Sequence, residues 1–217
     1  MKNVISDIVQ SVVVPPKKKI AITVIGDSSV GKTSILNSLI FDDINENEKQ
    51  AKTIGIDRRY WRMNNDILIK FYEVGHFDNI HNEGTFINLS NFSLLIILVV
   101  DYSSPSSAQS LIYYEKYFQN NKLLLVFNKD DKPKMLNENS ESIKRLQEIY
   151  KIDKTFSISS FDRESILSFK TNLTNYIEQY IKELSIEELS KKESFFNSNP
   201  DLKYYQSENK KKTIGCF

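Results

Sequence analysis

The sequence predicts a doubly wound α/β sheet as the fold class of this chain. Three short apolar runs, at residues 94–100, 123–127 and 155–158, have the composition of strands that are covered on both faces. Helical patterns lie between and after these runs, and such alternation is typical of parallel strands joined by crossover helices. A pair of β-rich runs around a short turn adds an antiparallel hairpin.

The chain before the hairpin contains one strand and one helix. An apolar run predicts the first strand at residues 20–25, and the helix is expected at about 32–41. Residues 42–52 are polar and are expected to form a mobile segment.

The hairpin and the last helix complete the predicted elements. Runs at 58–63 and 67–73 flank Asn64-Asn65-Asp66, which is turn chemistry between antiparallel strands. The last helix is predicted at about 163–184, because apolar residues fall near one stripe along it. That stripe is expected to be a core face, and it consists of Ile166, Phe169, Leu173, Ile177, Tyr180, Ile181 and Leu184.

Length and charge bound the organisation of the chain. Its 217 residues fit one domain, which we place at 19–184, between an N-terminal extension at 1–18 and a flexible C-terminal tail at 185–217. The tail is rich in Asn, Ser, Lys and Tyr towards its end, a composition that buries little apolar surface. The 29 Lys and Arg nearly balance the 28 Asp and Glu, so nucleic acid is not the expected partner.

Cysteine content and hydropathy indicate the compartment. Cys216 is the single cysteine, which excludes an internal disulfide and a cysteine-rich metal site and is expected of a chain in a reducing compartment. The longest apolar run, 94–100, is too short to span a bilayer, and the first residues lack the pattern of a cleavable signal. We therefore expect a cytoplasmic protein.

A phosphate-binding loop follows the first predicted strand. The stretch Gly26-Asp27-Ser28-Ser29-Val30-Gly31-Lys32-Thr33 reads G-x-x-x-x-G-K-T. In this pattern the glycines let backbone N–H groups face an anion, the lysine approaches the outer phosphates, and the threonine hydroxyl ligates Mg²⁺. A helix that begins near Lys32 would direct its positive dipole end at the same phosphates. The motif predicts nucleotide binding.

A second motif selects the base. Asn128-Lys129-Asp130-Asp131 follows the run at 123–127 and reads N-K-x-D. The Asp131 carboxylate can accept hydrogen bonds from N1–H and the exocyclic amine of guanine, a pair of donors that adenine lacks. Asn128 is expected to hold the base edge and neighbouring loops, and the aliphatic part of Lys129 to lie along the ring. Guanine is therefore the expected base.

Two further segments complete the expected site. In Ser159-Ser160-Phe161, after the run at 155–158, backbone N–H groups are expected to face guanine O6. In Thr53-Ile54-Gly55, after the polar segment, the Thr53 hydroxyl would reach Mg²⁺ when a third phosphate is present. Such a segment would act as a switch.

The motifs occur in the order seen in Ras-superfamily small GTPases, which the chain resembles over about residues 19–184, with Rab proteins the most similar. The resemblance implies a P-loop NTPase fold of the small G domain type, with a six-stranded, mostly parallel sheet and about five helices. It also implies a Mg²⁺-dependent switch between GTP and GDP. Effector, exchange-factor and GTPase-activating proteins would be its partners.

The resemblance also implies roles for individual residues. Lys32 would contact the β- and γ-phosphates, Thr33 and Thr53 the metal, and Asn128 and Asp131 the base. The implied nucleotide-binding set is Asp27, Ser28, Ser29, Val30, Gly31, Lys32, Thr33, Ser34, Asn128, Lys129, Asp131, Ser159, Ser160 and Phe161.

The second switch departs from the family pattern Asp-x-x-Gly-Gln, in which the acid reaches Mg²⁺ through water and the glutamine orients the attacking water. Here the chain reads Tyr72-Glu73-Val74-Gly75-His76-Phe77. Aligning Glu73 with the family aspartate keeps Lys70 on the outward face of its strand, and we prefer this register because burying an amine is costly. It puts His76 at the glycine position and Phe77 at the glutamine position.

In the alternative register, Gly75 aligns with the family glycine, His76 replaces the glutamine and Tyr72 replaces the carboxylate. The hydrolytic apparatus is incomplete in either register, so slow intrinsic hydrolysis is expected. In the preferred register the catalytic set is Lys32, Thr53, Glu73, His76 and Phe77, and the metal-side set is Thr33, Thr53 and Glu73.

The end of the chain carries a candidate lipidation site. Lys210-Lys211-Lys212 precede Cys216, and lysines near an anionic leaflet favour membrane association. Cys216 is penultimate, whereas a CaaX signal has its cysteine fourth from the end. Prenylation of Cys216 and a free thiol both remain open.

Two functions follow from these features. One is a Rab-like GTPase switch in vesicle traffic, peripheral on the cytosolic face of an organelle membrane. The other is a hydrolysis-impaired, GTP-binding scaffold subunit of a larger complex, favoured by Phe77 and the irregular lipid signal. A metabolic P-loop kinase conflicts with the base motif at Asn128–Asp131.

Overall fold

A six-stranded sheet forms the centre of the computed structural model, which describes residues 15–41, 53–75, 83–118, 120–137 and 139–198. Within these residues the strand order is β2-β3-β1-β4-β5-β6. The strands are β1 (Lys18–Gly26), β2 (Ile56–Arg62), β3 (Ile67–Val74), β4 (Ser93–Asp101), β5 (Lys122–Asn128) and β6 (Ile152–Ser157).

The sheet is parallel except at one edge. Strand β1 pairs in parallel with β3 and β4, and β5 pairs in parallel with β4 and β6. Strand β2 is antiparallel to β3, as the predicted hairpin requires. Asn64 shapes the turn, since its Oδ1 accepts hydrogen bonds from the backbone N–H groups of Asp66 at 2.9 Å and Ile67 at 2.8 Å.

Helices cover both faces of the sheet. They are α1 (Lys32–Phe41), α2 (Glu83–Phe92), α3 (Ser106–Gln109), a 3₁₀ segment (Ser110–Tyr114), α4 (Glu115–Phe118), α5 (Glu141–Ile149), α6 (Arg163–Glu183) and α7 (Ile186–Ser198). Helices α1 and α6 pack on one face, and α2, the α3–α4 segment and α5 pack on the other. The expected α/β class and mostly parallel six-stranded sheet are therefore confirmed.

Helix α6 confirms the predicted apolar stripe. Ile166, Phe169, Leu173, Ile177 and Ile181 are buried in the core. The other two members of the stripe, Tyr180 and Leu184, are partly buried against the same core.

Strand β6 begins three residues before the predicted start at 155. It is an edge strand of the sheet, and the adjacent residues Asp153 and Lys154, whose side chains point to opposite faces, are both exposed. Asp153 accepts a hydrogen bond from Lys122 Nζ at 2.8 Å, which joins the beginnings of β5 and β6. An apolar run predicts a strand that is covered on both faces. The prediction therefore missed the first half of this edge strand, which carries charged residues.

The predicted outward position of Lys70 is wrong. Lys70 is fully buried in β3, an interior strand with both faces covered. Its ammonium nitrogen lies 4.7 Å from the centroid of the Tyr72 ring and 5.8 Å from that of Tyr60. Aromatic faces attract a cation, which offsets part of the cost of its burial. Strand alternation therefore cannot decide the register of the segment after β3.

The predicted flexible tail at 185–217 is wrong for its first part, because helix α7 occupies Ile186–Ser198. Ser185 and Glu188 cap the helix reciprocally. The Ser185 N–H donates to Glu188 Oε2 at 3.0 Å, and the Glu188 N–H donates to Ser185 Oγ at 3.2 Å. This S-x-x-E capping box is readable from the sequence.

Helix α7 packs against the beginnings of the central strands. The Lys19 N–H in β1 donates to Glu193 Oε1 at 3.0 Å, and Lys192 Nζ donates to the Ser93 carbonyl at 2.6 Å. Lys192 Nζ also lies 3.4 Å from the Asn91 carbonyl at the end of α2, and burial is the main cause that lowers the pKa of Lys192. The helix thus joins β1 to the α2–β4 junction.

Removing the Lys192 ammonium is expected to destabilise the domain. Lys192→Ala should lower the free energy of unfolding by about 1–2 kcal/mol, since the buried Ser93 carbonyl loses its charged donor. Lys191→Ala is the matched control, because Lys191 is exposed on the same helix. Urea unfolding followed by circular dichroism measures both variants. Equal stabilities of the two variants would contradict a structural role for Lys192.

The two ends of the chain are described only in part. Strand β1 starts at Lys18, one residue before the predicted start of the domain, while residues 1–14 and 199–217 lie outside the described residues. In the described part of the chain, no helix has the length and apolar character needed to cross a membrane.

Candidate functional site

The phosphate-binding loop joins β1 to α1 in a tightly constrained conformation. Gly31 has φ +96°, and an added Cβ would lie 2.2 Å from Asn128 Nδ2. Ser29 also has a positive φ, 64°, which is uncommon for a residue with a side chain and is typical of functional sites. The second glycine of the motif is therefore required both by its backbone angle and by the close approach of Asn128.

Lys32 lies at the start of α1, beneath the loop. Its side chain is 6% exposed, and Nζ donates to the Gly26 carbonyl at 2.9 Å and the Asp27 carbonyl at 2.8 Å. Burial lowers the pKa of Lys32, although the charges of Glu73 and Asp27 oppose that shift. An ammonium group has three donors, so one N–H remains beyond the two loop carbonyls. Lys32 can therefore hold the loop and present positive charge to an anion.

Three side-chain oxygens converge beside the loop, each from a different element. Thr33 Oγ1 in α1 lies 3.2 Å from Thr53 Oγ1, just before β2. Both hydroxyls donate to Glu73 Oε1 in β3, Thr53 at 3.1 Å. Within the described residues the other oxygen of this buried carboxylate, Oε2, accepts no hydrogen bond. Hydroxyl and carboxylate oxygens are ligands that suit Mg²⁺, so the donor set fits that ion.

Arg59 in β2 lies behind this cluster and was not predicted. Its Nη2 lies 3.3 Å from Glu73 Oε2 and 2.9 Å from Asp57 Oδ2. Its Nη1 donates to the Thr33 carbonyl at 3.2 Å and to Asn37 Oδ1 at 2.7 Å. The hairpin register pairs Asp57 with Glu73, and this pairing is the signal that places residues 57 and 59 on the face of the carboxylate.

The backbone at position 75 packs closely against the segment that carries Thr53, and this packing explains why a glycine stands there. Its N–H donates to the Gly55 carbonyl at 2.7 Å. A Cβ at position 75 would lie 2.4 Å from the Thr53 carbonyl oxygen, which no side chain tolerates. This packing accounts for a glycine at position 75 without assigning it a contact with phosphate.

Asn128 joins the phosphate-binding loop to the loop at 159–161. It is fully buried at the end of β5. Its Nδ2 donates to the Val30 carbonyl at 2.9 Å, and its Oδ1 accepts from the Ser160 N–H at 3.0 Å. Ser38 Oγ in α1 donates to the Ser160 carbonyl at 3.0 Å. The start of the N-K-x-D motif is therefore part of the same rigid arrangement as the phosphate-binding loop.

The backbone N–H groups of the 159–161 loop have partners within the chain. Ser160 donates to Asn128, Ser159 donates to Ser165 Oγ at 3.0 Å, and Phe161 donates to Ser159 Oγ at 3.3 Å. The expectation that these groups face guanine O6 stays a prediction, and a base oxygen bound here would share one of these donors or replace its partner. The bond from Phe161 is the longest of the three.

Lys129 is held by an acidic residue that sequence reasoning missed. Its Nζ donates to Asp101 Oδ2 at the end of β4, and Lys129 has φ 65°. Burial of Asp101 acts to raise the pKa of its carboxyl group, but hydrogen bonds from Lys129 and Ser103 outweigh it, so that the pKa is lowered. Asp131 lies in the exposed turn that follows. Alignment of β4 with β5, which pairs Asp101 with Asn128, brings these groups together.

A protein-family model described as "Roc: Ras of Complex, Roc, domain of DAPkinase" matches residues 21–131, just over half of the chain. The chain belongs to this family. The Roc-family match contains the phosphate-binding loop, the Thr53–Glu73 region and the N-K-x-D motif. It confirms that the chain is a Ras-superfamily GTPase domain.

Two relatives support this assignment. This chain is 29% identical over 201 residues to "Ras-related protein Rab-32D" of Dictyostelium discoideum, and the alignment covers 85% of this chain and 82% of that protein. Its structure is similar, with a TM-score of 0.58 and 27% identity, to the one described as "Structure of methanosarcina barkeri Roco2 RocCORdC bound to GDP". That match covers 77% of this chain and 50% of the Roco2 chain. The present chain thus spans about half the length of the Roco2 chain.

The carboxyl ends of the strands bring most predicted residues of this Roc-family domain to one edge of the sheet, as expected for an α/β fold. The phosphate-binding loop follows β1, Glu73 lies near the end of β3, Asn128 ends β5, and the 159–161 loop follows β6. His76, Phe77 and Cys216 lie outside the described residues, and their roles stay predictions.

Proposed function

We propose that this Roc-family domain is a Mg²⁺-dependent guanine-nucleotide switch with slow intrinsic GTP hydrolysis. The observation that carries the proposal is Asn128, which bonds both to Val30 in the phosphate-binding loop and to Ser160. This contact supports a single site in which the start of the N-K-x-D motif lies against the phosphate-binding loop. Membership of the family supports guanine-nucleotide binding and GTP hydrolysis in general.

Phosphate contacts are assigned to the loop and the start of α1. Backbone N–H groups of residues 27–34 would surround the phosphates, and the third N–H of Lys32 would approach the outer ones. The dipole of α1 adds positive potential at the same place. Asp131 would bind the guanine edge, and Lys129, held by Asp101, would lie along the base.

Thr33, Thr53 and Glu73 would hold Mg²⁺ directly or through water. When bound, the ion would neutralise charge that develops on the phosphate oxygens. Thr53 lies beside Gly55, which accepts a hydrogen bond from the Gly75 N–H. Movement of Thr53 on loss of the terminal phosphate would therefore reach the segment after β3, which is the physical basis of the proposed switch.

Slow hydrolysis follows from the register of that segment. Glu73 contacts both threonine hydroxyls, which supports its alignment with the family aspartate. In that alignment Phe77 would stand at the position of the water-orienting glutamine. A phenyl ring has no donor or acceptor for water. A GTPase-activating partner would be needed for rapid turnover.

Nucleotide competition tests this function. GTP and GDP are expected to displace a bound fluorescent GDP analogue, whereas ATP in about 100-fold excess is expected to fail, because adenine cannot supply both donors to Asp131. Chelation of Mg²⁺ by EDTA should speed release of the analogue at least about tenfold, because losing about 1.4 kcal/mol of metal–phosphate interaction has this effect. Equal displacement by ATP would contradict the guanine assignment, and release insensitive to EDTA would contradict the metal site.

The cellular role has two candidates. Similarity to Rab-32D supports a switch in vesicle traffic, acting with effector and exchange-factor proteins on the cytosolic face of a membrane. Phe77 and the irregular position of Cys216 support a hydrolysis-impaired, GTP-binding scaffold within a larger complex. Mass spectrometry of the protein from native cells separates them. A prenyl group on Cys216 supports the traffic role, and an unmodified thiol supports the scaffold.

A further inference from the structure

The Glu73 carboxylate has two oxygens in different surroundings. Oε1 accepts hydrogen bonds from the Thr33 and Thr53 hydroxyls. Within the described residues Oε2 accepts no hydrogen bond but forms an ion pair with Arg59, whose Nη2 lies 3.3 Å away. The carboxylate side chain is 1% exposed and that of Arg59 is 16% exposed, so the ion pair lies in a region that water reaches poorly.

We propose that Arg59 is a positioning residue for the metal site: it holds Oε2 of Glu73 so that Oε1 stays directed at Thr33 and Thr53. This inference rests on the proposed Mg²⁺ site and adds a residue to it. Among the described residues, Arg59 contacts one other member of the nucleotide-binding and metal-side sets, Thr33, through its backbone carbonyl.

The guanidinium group is itself fixed from three directions. Nε and Nη2 both donate to Asp57 Oδ2, at 3.2 Å and 2.9 Å. Nη1 donates to Asn37 Oδ1 at 2.7 Å and to the Thr33 carbonyl at 3.2 Å. A planar fork of five donors can make these contacts together, which a lysine ammonium cannot. Arg59 therefore offers Glu73 a charge at a defined position.

The length of the glutamate side chain explains why Glu73 needs such support. It is one methylene longer than the aspartate of the family pattern, so its carboxylate has an additional torsion along which it can turn away from the threonines. The attraction within a buried ion pair offsets the cost of removing both charges from water only when the geometry of the pair is well defined. Groups that orient a metal ligand from behind commonly affect metal affinity about 10- to 100-fold.

The test measures release of a fluorescent GDP analogue from the full chain over a range of free Mg²⁺ concentrations. Arg59→Met is expected to raise the Mg²⁺ concentration that gives half-maximal retention by about tenfold. Arg62→Met is the matched control, because Arg62 is exposed on the same strand, and it should leave this concentration unchanged. Asn37→Ala, which loosens Arg59 without removing it, should give a smaller shift in the same direction.

A double variant separates positioning from general stabilisation. If Arg59 acts through Glu73, Arg59→Met should add no further shift in a Glu73→Gln background. A full additional shift there, or an unchanged Mg²⁺ dependence in both Arg59→Met and Asn37→Ala, would overturn the inference. Failure of the metal site itself is distinguishable, because the unmodified protein would then release nucleotide at a rate independent of Mg²⁺.

Discussion

Asp131→Asn is expected to exchange guanine specificity for xanthine specificity. In the proposed site the carboxylate would accept two hydrogen bonds from guanine, and an asparagine amide would place a donor opposite the exocyclic amine. Losing charged bonds of this kind costs roughly 3 kcal/mol or more, so the Kd for GTP should rise at least about 100-fold. Xanthosine triphosphate carries a carbonyl in place of that amine and would accept from the new amide. The side chain of Asp131 is exposed, so the fold should be unaffected.

Competition of xanthosine and guanosine triphosphates for the purified variant checks this prediction. Asp130→Asn is the matched control, since Asp130 is the adjacent carboxylate and forms an ion pair with Lys134 instead. We expect the control to retain GTP binding. Two results would contradict the assignment of Asp131 to the base. One is an Asp131→Asn variant that binds xanthosine and guanosine triphosphates equally weakly, and the other is a variant that binds GTP normally.

The central strands of the fold were predictable from local sequence, but the edge and the C-terminal region were less so. The apolar runs within β4 and β5 reflect burial of both faces, and this property is visible without a structure. Strand β6 carries exposed Asp153 and Lys154 because it has one neighbour. Helix α7 is polar overall, and its packing depends on Glu193 and Lys192, which reach backbone groups of β1 and β4 that are far away in sequence.

The site divides in a similar way. The phosphate-binding loop and the N-K-x-D motif are each contiguous, so their residue types and spacing indicate their chemistry. Arg59 contacts Glu73 and the Thr33 carbonyl, and Asp101 contacts Lys129, each from a neighbouring strand. Their contacts depend on the strand register, which a single sequence indicates only weakly. Lys70 shows the same limit, since aromatic partners from β2 and β3 made its burial acceptable.

The structure adds most to the sequence analysis at the second switch, because it bears on the choice between two alignments with the family pattern. The sequence offered two registers, and the argument from Lys70 that favoured one of them was wrong. The contacts of Glu73 with Thr33 and Thr53 support the same register on independent grounds. Close packing of Gly75 against the Thr53 carbonyl explains the glycine that suggested the other register. His76 and Phe77 are thus expected at the positions of the family glycine and glutamine.

Changing His76 to Gly and Phe77 to Gln together is expected to raise the intrinsic rate of GTP hydrolysis about 10- to 100-fold, the scale of effect that correct positioning of a reactant supplies. The glutamine amide can orient the attacking water by donating and accepting hydrogen bonds, and the phenyl ring that it replaces can do neither. The glycine lets backbone approach the terminal phosphate without a side chain between them. Phosphate release from protein loaded with GTP, in a single turnover at saturating Mg²⁺, measures the rate.

His76→Gln with Phe77 retained is the control that separates the two registers. If Glu73 is the metal-side acid, a glutamine at position 76 is one residue too early to orient the water, and the rate should stay at the level of the unmodified protein. If Tyr72 stands at the acid position instead, His76→Gln alone should accelerate hydrolysis, while the double variant should not. Opposite responses of the two variants therefore identify the register directly. Acceleration by His76→Gln alone would reverse the assignment of Glu73 and Phe77.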